Sequence, residues 1–547
     1  MFFILSISLL FVFILLITSL HNIRSFLDWV LALGVYAFAA VVLLFQVANL
    51  LHKINSIPVV LGLQFFLLVL GLGGWWASGR PKLFPHLPRI PSLIGLLKKR
   101  ENWPVVILGG TVVASLALYA VLIYVVPPNN NDVLSIHLAR VANWLQSGSY
   151  FPWAAQNIWQ VTFPVNAQLL YTWTLLFTRG DHFVAYLPYF AGILTAIQIF
   201  QICKSMKLSI KWSFLAALIW LSFPVVQLHL TSARQDLVST WLFLTSLYFL
   251  FKWLFDNEKG GWVLSAVSFA LVLGTNFSIA AFIPGFMILL VLMVIKKKMR
   301  MASLFSWGFL ALFFFIVLSS PIYISNFITF GSPVGPDLKE MTSSAVTNEL
   351  PLGRYLGINS GRWMYQTLDF SGLPQPVVVA ATKGKAVVVD ALAKMTHVEM
   401  EGDIATLADH AFYWDTIPRL QEDEAWFGLV GFGLIVPTSI AAFIVGTKKK
   451  NYLLGIPLLF LVTSLIACSL IRPGWTPYDG RYFMPLAAIC TPLVALWKPK
   501  KGQGWLIQIV IVLLSVSSVL MVILFNPAKQ IVGGSAIWGM NRIDMLT

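Results

Sequence analysis

The feature that most constrains this chain is a series of unbroken apolar runs of about 20 residues, the length an α-helix needs to cross a hydrocarbon layer about 30 Å thick. Fourteen lie near residues 2–20, 28–50, 57–76, 104–126, 183–203, 212–230, 236–254, 261–275, 276–295, 301–320, 426–447, 452–471, 481–497 and 504–525. The expected fold is therefore an all-α integral membrane protein with about fourteen transmembrane helices. Composition agrees, because only 11% of the residues are charged, where ordinary globular chains carry roughly 25%. A soluble multidomain enzyme, a disordered chain and a collagen-like repeat are excluded. The three cysteines, Cys203, Cys468 and Cys490, lie within or beside apolar runs, which argues against an extracellular disulfide framework.

The net charge of +15 reads as a topology signal and not as a nucleic-acid patch. Every second connection is basic: Arg80, Lys82, Arg89, Lys98, Lys99 and Arg100; Lys204, Lys207 and Lys211; Lys296, Lys297, Lys298 and Arg300; Lys448 to Lys450; Lys498, Lys500 and Lys501. With Arg24, Lys252 and Lys259 these make 22 of the 37 basic residues, and the positive-inside rule puts them in the cytoplasm with both termini outside. Only Asp28, Glu101, Asp256 and Glu258 among the acidic residues share that side. The run Phe2 to Leu20 has no basic leader and no small-x-small cleavage site, so it is expected to be a retained span. Gly274, Thr275 and Asn276 separate two spans with almost no loop; a re-entrant element there would reverse the parity, but the basic clusters on either side fit two full crossings.

Four regions follow: 1–103, an accessory three-span bundle with a basic loop; 104–320, a transmembrane core holding a first outer loop at 127–182; 321–425, a second outer loop; and 426–547, further spans and an outer tail. In the first loop Leu134, Leu138, Val141 and Leu145 form one helical stripe, expected to lie along the membrane surface. Asp132 opens that helix and suits an N-cap as well as a chemical role. The second loop carries seven basic and thirteen acidic residues, and Gln375 to Met395 suits a surface helix, although its valines also suit a strand.

Charge is nearly absent from the middle of the runs and no halves repeat, which disfavours a transporter. Polar residues gather instead at the outer mouths: Asp132, His137 and Arg140; Asp181 and His182; His229, Arg234 and Asp236; Glu422, Asp423 and Glu424; Arg472, Asp479 and Arg481. If the spans bundle, these groups can converge on one cavity.

The stretch from Asn131 through Asp132, His137, Arg140 and Trp144 to Ser149 resembles the first outer loop of the GT-C membrane glycosyltransferases, the group that includes protein O-mannosyltransferases and lipid A aminoarabinose transferases. The likeness extends to Thr231-Ser-Ala-Arg-Gln-Asp236, Gly274-Thr-Asn-Phe, Trp426-Phe-Gly-Leu-Val-Gly and Gly480-Arg-Tyr-Phe-Met-Pro485, covering about residues 104 to 497. It departs where Val133 follows Asp132 in place of an acidic partner, where Ile136 replaces an aromatic, and where Asn276 replaces a lysine. Those departures bear on donor and acceptor identity. The resemblance implies sugar transfer from a polyprenyl-phosphate donor to a glycan, lipid or protein hydroxyl on the outer face of the membrane; a bacterial plasma membrane is expected because the sole Asn-x-Ser/Thr sequon, Asn276-Phe-Ser, is embedded at a span boundary. Asp132 would be the catalytic base.

Such a transfer needs a base for the acceptor proton and cations for the departing phosphate. Arg481, at the mouth of a span, is the first candidate for the phosphate, followed by Arg140, Arg234 and Arg472; each also suits an interfacial arginine reaching lipid headgroups. Burial of Asp132 would raise its pKa and Arg140 would lower it. His137 suits phosphate polarisation or loop packing, and Asp236 suits orienting an arginine or capping its span. Glu422, Asp423 and Glu424 suit a divalent cation, sugar hydroxyls or plain solvation. Trp144, Trp153, Trp159 and Tyr482 suit either sugar stacking or interface anchoring. No spacing matches a zinc motif and no metal is assigned, although a divalent cation is compatible with the reaction. An O-antigen ligase or polymerase, or a lipid or polymer transporter, are the rival readings.

Overall fold

The computed structural model describes residues 1–85, 100–256, 258, 260–336, 350–396, 399–407, 410–472, 474–497, 504–533 and 536–546. Among them the chain is helical, and the β-type pairing is confined to isolated bridges between Gly402 and Phe412 and between Thr406 and Trp475. Twelve helices among the described residues are long and apolar enough to cross a membrane, which makes this an integral membrane protein. Two shorter apolar helices, Ile210–Ser222 and Gly261–Leu273, occupy the two remaining expected span positions. Helices suit such sequences because each satisfies its own backbone groups where no water is available. The basic residues Arg89, Lys98, Lys99, Lys259, Lys498, Lys500 and Lys501 lie outside the described residues.

The central element is Asp236–Asp256, with every residue from Asp236 to Leu250 buried. It packs against Tyr186–Ser205 on one side, Gly261–Leu273 on another, and Met484–Cys490. Phe26–Leu50 also joins this core, touching Asn166–Thr178, Tyr186–Ser205 and Gly261–Leu273, whereas Ile57–Ala77 leans mainly on Phe2–Ser19 and is largely exposed. Exposed phenylalanines such as Phe65, Phe305 and Phe309 are what a lipid-facing surface requires.

The 21 residues of Asp236–Asp256 span ~31 Å at ~1.5 Å per residue, and the charged groups sit at its two ends. At the Asp256 end, Lys252 meets Asp28 at 3.4 Å, Asp256 at 3.2 Å and Glu258 at 3.3 Å. Tyr248 and Gln201 donate to Asp28 at 2.7 Å each. Three of the four acidic residues expected among the basic connections thus gather on one lysine. The fourth, Glu101, accepts from Lys211 Nζ through its backbone oxygen at 2.8 Å. At the Asp236 end lie the two long loops.

The first loop departs from its expected pattern. Val133–Leu138 is a π-helix, followed by α-helix Ala139–Ser147. The wider turn shifts the register, so the buried face is Val133, Ile136, His137, Arg140, Val141 and Trp144, while Leu134 is exposed. The element is therefore packed within the protein and does not present the leucine stripe to a membrane surface. In the second loop, Leu352–Thr367 and Gln375–Thr396 are both helices, the valines of the latter included.

Gly274 closes the Gly261–Leu273 helix where Asn166 crosses it. Its carbonyl accepts from Asn166 N at 2.9 Å, and a Cβ here would overlap the side chains of both Asn166 and Ser319. Gly274→Ala is expected to cost about 1–3 kcal/mol through this overpacking, read as a lower unfolding temperature of the detergent-solubilised protein relative to Gly308→Ala, where a Cβ meets nothing within 4 Å.

Candidate functional site

Helix Trp103–Val125 ends because Pro127 and Pro128 cannot continue it. The next helix is capped by Asn130, whose Oδ1 accepts from Asp132 N at 3.0 Å and Val133 N at 3.4 Å. Asp132 makes no cap bond of its own. With the capping done two residues earlier, its carboxylate is free to face the bundle, where it meets Arg234 Nη2 and, at 3.2 Å, Arg481 Nη1.

A second carboxylate completes the arrangement. Asp423 Oδ1 lies 2.5 Å from Arg234 Nη1 and accepts from Arg481 Nη1 at 3.0 Å. Each guanidinium therefore touches both carboxylates in a closed cluster of alternating charge. Arg234 comes from the turn ahead of Asp236–Asp256, and Arg481 from the first turn of Gly480–Phe483. Gly480 permits that approach, since a Cβ there would sit 2.9 Å from the Ala425 carbonyl oxygen and 3.0 Å from the Trp426 ring. The arginines form the floor, their side chains 2% and 12% exposed, and the carboxylates form the rim at 36% for Asp132 and 29% for Asp423. Arg234 Nε and Arg481 Nε are buried with no hydrogen-bond partner.

Burial pushes the Asp132 carboxyl up, but Arg234 and Arg481 outweigh it and hold the group below the usual carboxylate range. The opposing cations are these two and not Arg140. Arg140 turns away, donating to the Phe163 carbonyl at 2.9 Å and the Pro164 carbonyl at 3.2 Å beneath the Trp144 ring, and burial pushes it down to about 9. It braces the loop and is not placed to hold phosphate. Trp144 is fully buried, so it offers no face to a sugar. Trp159 packs on Phe163, 4.8 Å between ring centres, and Trp153 is partly buried against the core.

His137 is buried beside Gln168, whose amide nitrogen donates to Nδ1 at 2.9 Å. Burial, then Arg140 and Arg234, bring it down to about 3, so the ring is neutral and carries its proton on Nε2. Asp236 accepts from Asn276 Nδ2 at 3.1 Å, lies 3.7 Å from His229 Nε2 and is within electrostatic reach of Arg481. Asn276 is thus directed at Asp236, close to the cluster. Tyr482 accepts from Arg481 Nη2 at 2.9 Å, and its ring is covered by Arg472 at 4.7 Å and Arg481 at 5.0 Å; it backs the arginine. Arg472 pairs with Asp479 at 3.0 Å and donates to Thr476, which fixes the 472–479 turn and removes it from phosphate binding.

The acidic run 422–424 splits three ways. Asp423 joins the cluster; Glu424 accepts from Gln421 and from the Arg419 amide; Glu422 turns inward to Lys529 of the C-terminal tail at 2.9 Å. That tail also reaches Asn129, which donates to the Ala528 carbonyl at 2.6 Å, and Arg542 pairs with Asp181 at 2.6 Å. Asp181 and His182, which bonds the Tyr124 carbonyl, therefore belong to the tail contacts and not to the cluster. Among the described residues no group of three or more His, Cys, Asp or Glu side chains gathers as a cation site.

Fold and site together define a polytopic helical membrane protein with a charge-paired cluster at its loop-bearing end. Searches with this chain matched no protein-family model, no curated protein and no solved structure.

The Glu422–Lys529 pair is almost wholly buried, at 3% and 4% side-chain exposure. Burial pushes Glu422 up, yet Lys529 and then Arg234 bring it down from 4.5 to about 2. A depressed carboxyl contributes stability that is present above its unfolded value and lost as pH falls through the folded one, here between about 4.5 and about 2. Lys529→Met leaves a buried charge unpaired and is expected to cost about 3–5 kcal/mol at pH 7. Glu422→Gln in the same chain is expected to restore most of the unfolding temperature.

Proposed function

We propose that this protein is a GT-C-type glycosyltransferase with fourteen crossings, moving a sugar from a polyprenyl-phosphate donor to an acceptor hydroxyl at the outward face of a bacterial plasma membrane. The observation that carries the reading is the cluster itself, in which Asp132 shares two inward guanidiniums with Asp423. A guanidinium fork can trade carboxylate oxygens for phosphate oxygens with the same geometry. A donor phosphate settling on Arg234 and Arg481 displaces Asp132 and takes away the charges that depress its pKa. The freed carboxylate then becomes a stronger base as the donor binds.

In the transfer step Asp132 takes the acceptor hydroxyl proton while the acceptor oxygen bonds the anomeric carbon. The bond from that carbon to the phosphate oxygen breaks, and its electron pair leaves with polyprenyl phosphate, whose new charge rests on Arg234 and Arg481. Asp423 holds the arginines apart between turnovers. His137, neutral and buried, donates from Nε2 or simply fills space behind Asp132.

Asp132→Asn in purified protein is expected to lower release of polyprenyl phosphate from labelled sugar donors by roughly 10²–10⁴-fold. Undiminished turnover would remove Asp132 from the chemistry. The free protein's kcat/KM is expected to hold constant as pH falls to the usual carboxylate value of about 3.9, because a lowered pKa keeps Asp132 ionised there. In Arg481→Gln the acid limb moves upward, and an unmoved limb would mean that Arg481 does not govern the base.

A further inference from the structure

Helix Gln375–Thr396 presents three faces. Val378, Thr382 and Ala386 pack inward at 2–7% exposure, and Lys385 sits beside them. Lys383, Asp390 and Lys394 share one outward flank, where Lys394 pairs with Asp390 at 2.7 Å. The third face carries Val377, Val387, Val388 and Met395, exposed by 48%, 71%, 60% and 78%, with alanine, glycine and Leu392 between them. At ~3.6 residues per turn these side chains fill a sector of roughly 140°, as wide as the core-facing stripe of an ordinary amphipathic helix, yet it points outward. A contiguous exposed apolar face of this kind marks an interaction site.

The anchoring of the helix decides what meets that face. Asp369, in the turn ahead of it, accepts from Gly428 N at 3.3 Å, and Gly428 is the first residue of the span Gly428–Lys448. The Gly372 carbonyl accepts from Ser517 Oγ at 2.9 Å, and the approach is so close that a Cβ on Gly372 would lie 2.9 Å from Ser518 Cβ. Ser517 stands on the lipid-facing stripe of the span Trp505–Phe525, between Leu513 at 62% and Leu520 at 42% exposure. It lies ~12 Å along the axis from the loop-side end at Phe525. Lys385 is ~15 Å along the axis from Gln375, yet its Nζ still donates to the Leu368 carbonyl at 2.8 Å, one residue from Asp369. The helix therefore runs along the rim of the hydrocarbon layer and does not stand away from it.

We propose that Gln375–Thr396 is a membrane-surface helix whose Val377, Val387, Val388 and Met395 face is seated in lipid, at the headgroup–acyl boundary of the leaflet on the loop-bearing side. Such helices sink their apolar side ~5–10 Å into that boundary. The three faces then meet three media: protein on the Val378 side, lipid on the Val388 side, and the wet headgroup layer on the Lys383 flank. Lys383 and Lys394 lay their stems on the acyl layer and lift their ammonium groups to lipid phosphates, as long basic side chains do at an interface. The lipid-facing surface of Trp505–Phe525 continues into the new face through Ser517 and Gly372. This contact stands whether or not the charged cluster transfers sugar.

The test uses the full chain in nanodiscs of phosphatidylethanolamine and phosphatidylglycerol, with Val388→Cys, Met395→Cys and Lys383→Cys each carrying an NBD fluorophore. All three positions are exposed, and the native Cys203, Cys468 and Cys490 are buried away from the label. Labels at 388 and 395 are expected to be quenched by lipid bearing a doxyl group near its headgroup. They are also expected to be about threefold or more less sensitive to aqueous iodide than the label at 383, as seating in the acyl boundary requires. Equal iodide quenching at all three positions puts the face in water and overturns the assignment. Shielding of 388 and 395 from both quenchers means that protein covers the face, which overturns it too; a dimer in the same nanodiscs then identifies a second copy as the cover.

Discussion

Two arginines and two aspartates tied into one cluster are the interaction on which the loop-bearing end of this molecule depends. Asp132 follows a helix broken by two prolines, Arg234 precedes the central helix, Asp423 ends the second long loop, and Arg481 opens a late helix. Nothing in the local sequence holds these four places together. The guanidiniums lie on the buried floor, so each needs both carboxylates to avoid an uncompensated charge, a defect worth about 3–5 kcal/mol when a buried pair is broken. The same pairing that fixes four segments also keeps Asp132 ionised and its Oδ2 occupied by both arginines. A group held in that way changes character when a competing anion arrives.

Around the cluster the protein spends further polar contacts on making the geometry rigid. Asn130 caps the helix so that Asp132 need not; Tyr482 and Asp236 back Arg481; Arg472 and Asp479 fix the turn that carries it. The C-terminal tail joins in through Lys529 and Glu422. Those contacts lie roughly one bilayer core away from the Lys252 cluster at the other end of Asp236–Asp256, so along this helix the charged groups are confined to the two ends and the stretch between is uncharged.

Much of this was legible in the chain and some was not, for reasons that differ by residue. Asp132, Arg234 and Arg481 stand at the mouths of apolar runs, and such positions are recognisable because charge is too costly further in. Arg140 and Arg472 stand at similar positions yet face carbonyls and Asp479, because sequence gives a residue's depth and not its rotation about the helix. Asp423 could not be told from its neighbours: three acids in a row suit a divalent cation, sugar hydroxyls or solvation alike, and only the fold sends Glu422 inward, Asp423 to the arginines and Glu424 to a turn. The π-helix after Asp132 likewise defeats a stripe drawn at 3.6 residues per turn, since one wide turn moves every later side chain to a new bearing. Lys529 carries no sequence signal for its role.

The sequence by itself determined that this is a helical membrane protein, which helix ends carry charge, and which of its connections are basic. These follow from the local cost of placing polar groups in hydrocarbon, a cost each segment meets alone. Tertiary structure decided which charged ends meet, that Asp423 completes the cluster, and that Arg140 does not. Pairing energies depend on distance and direction between residues hundreds of positions apart, and those quantities exist only once the helices have packed.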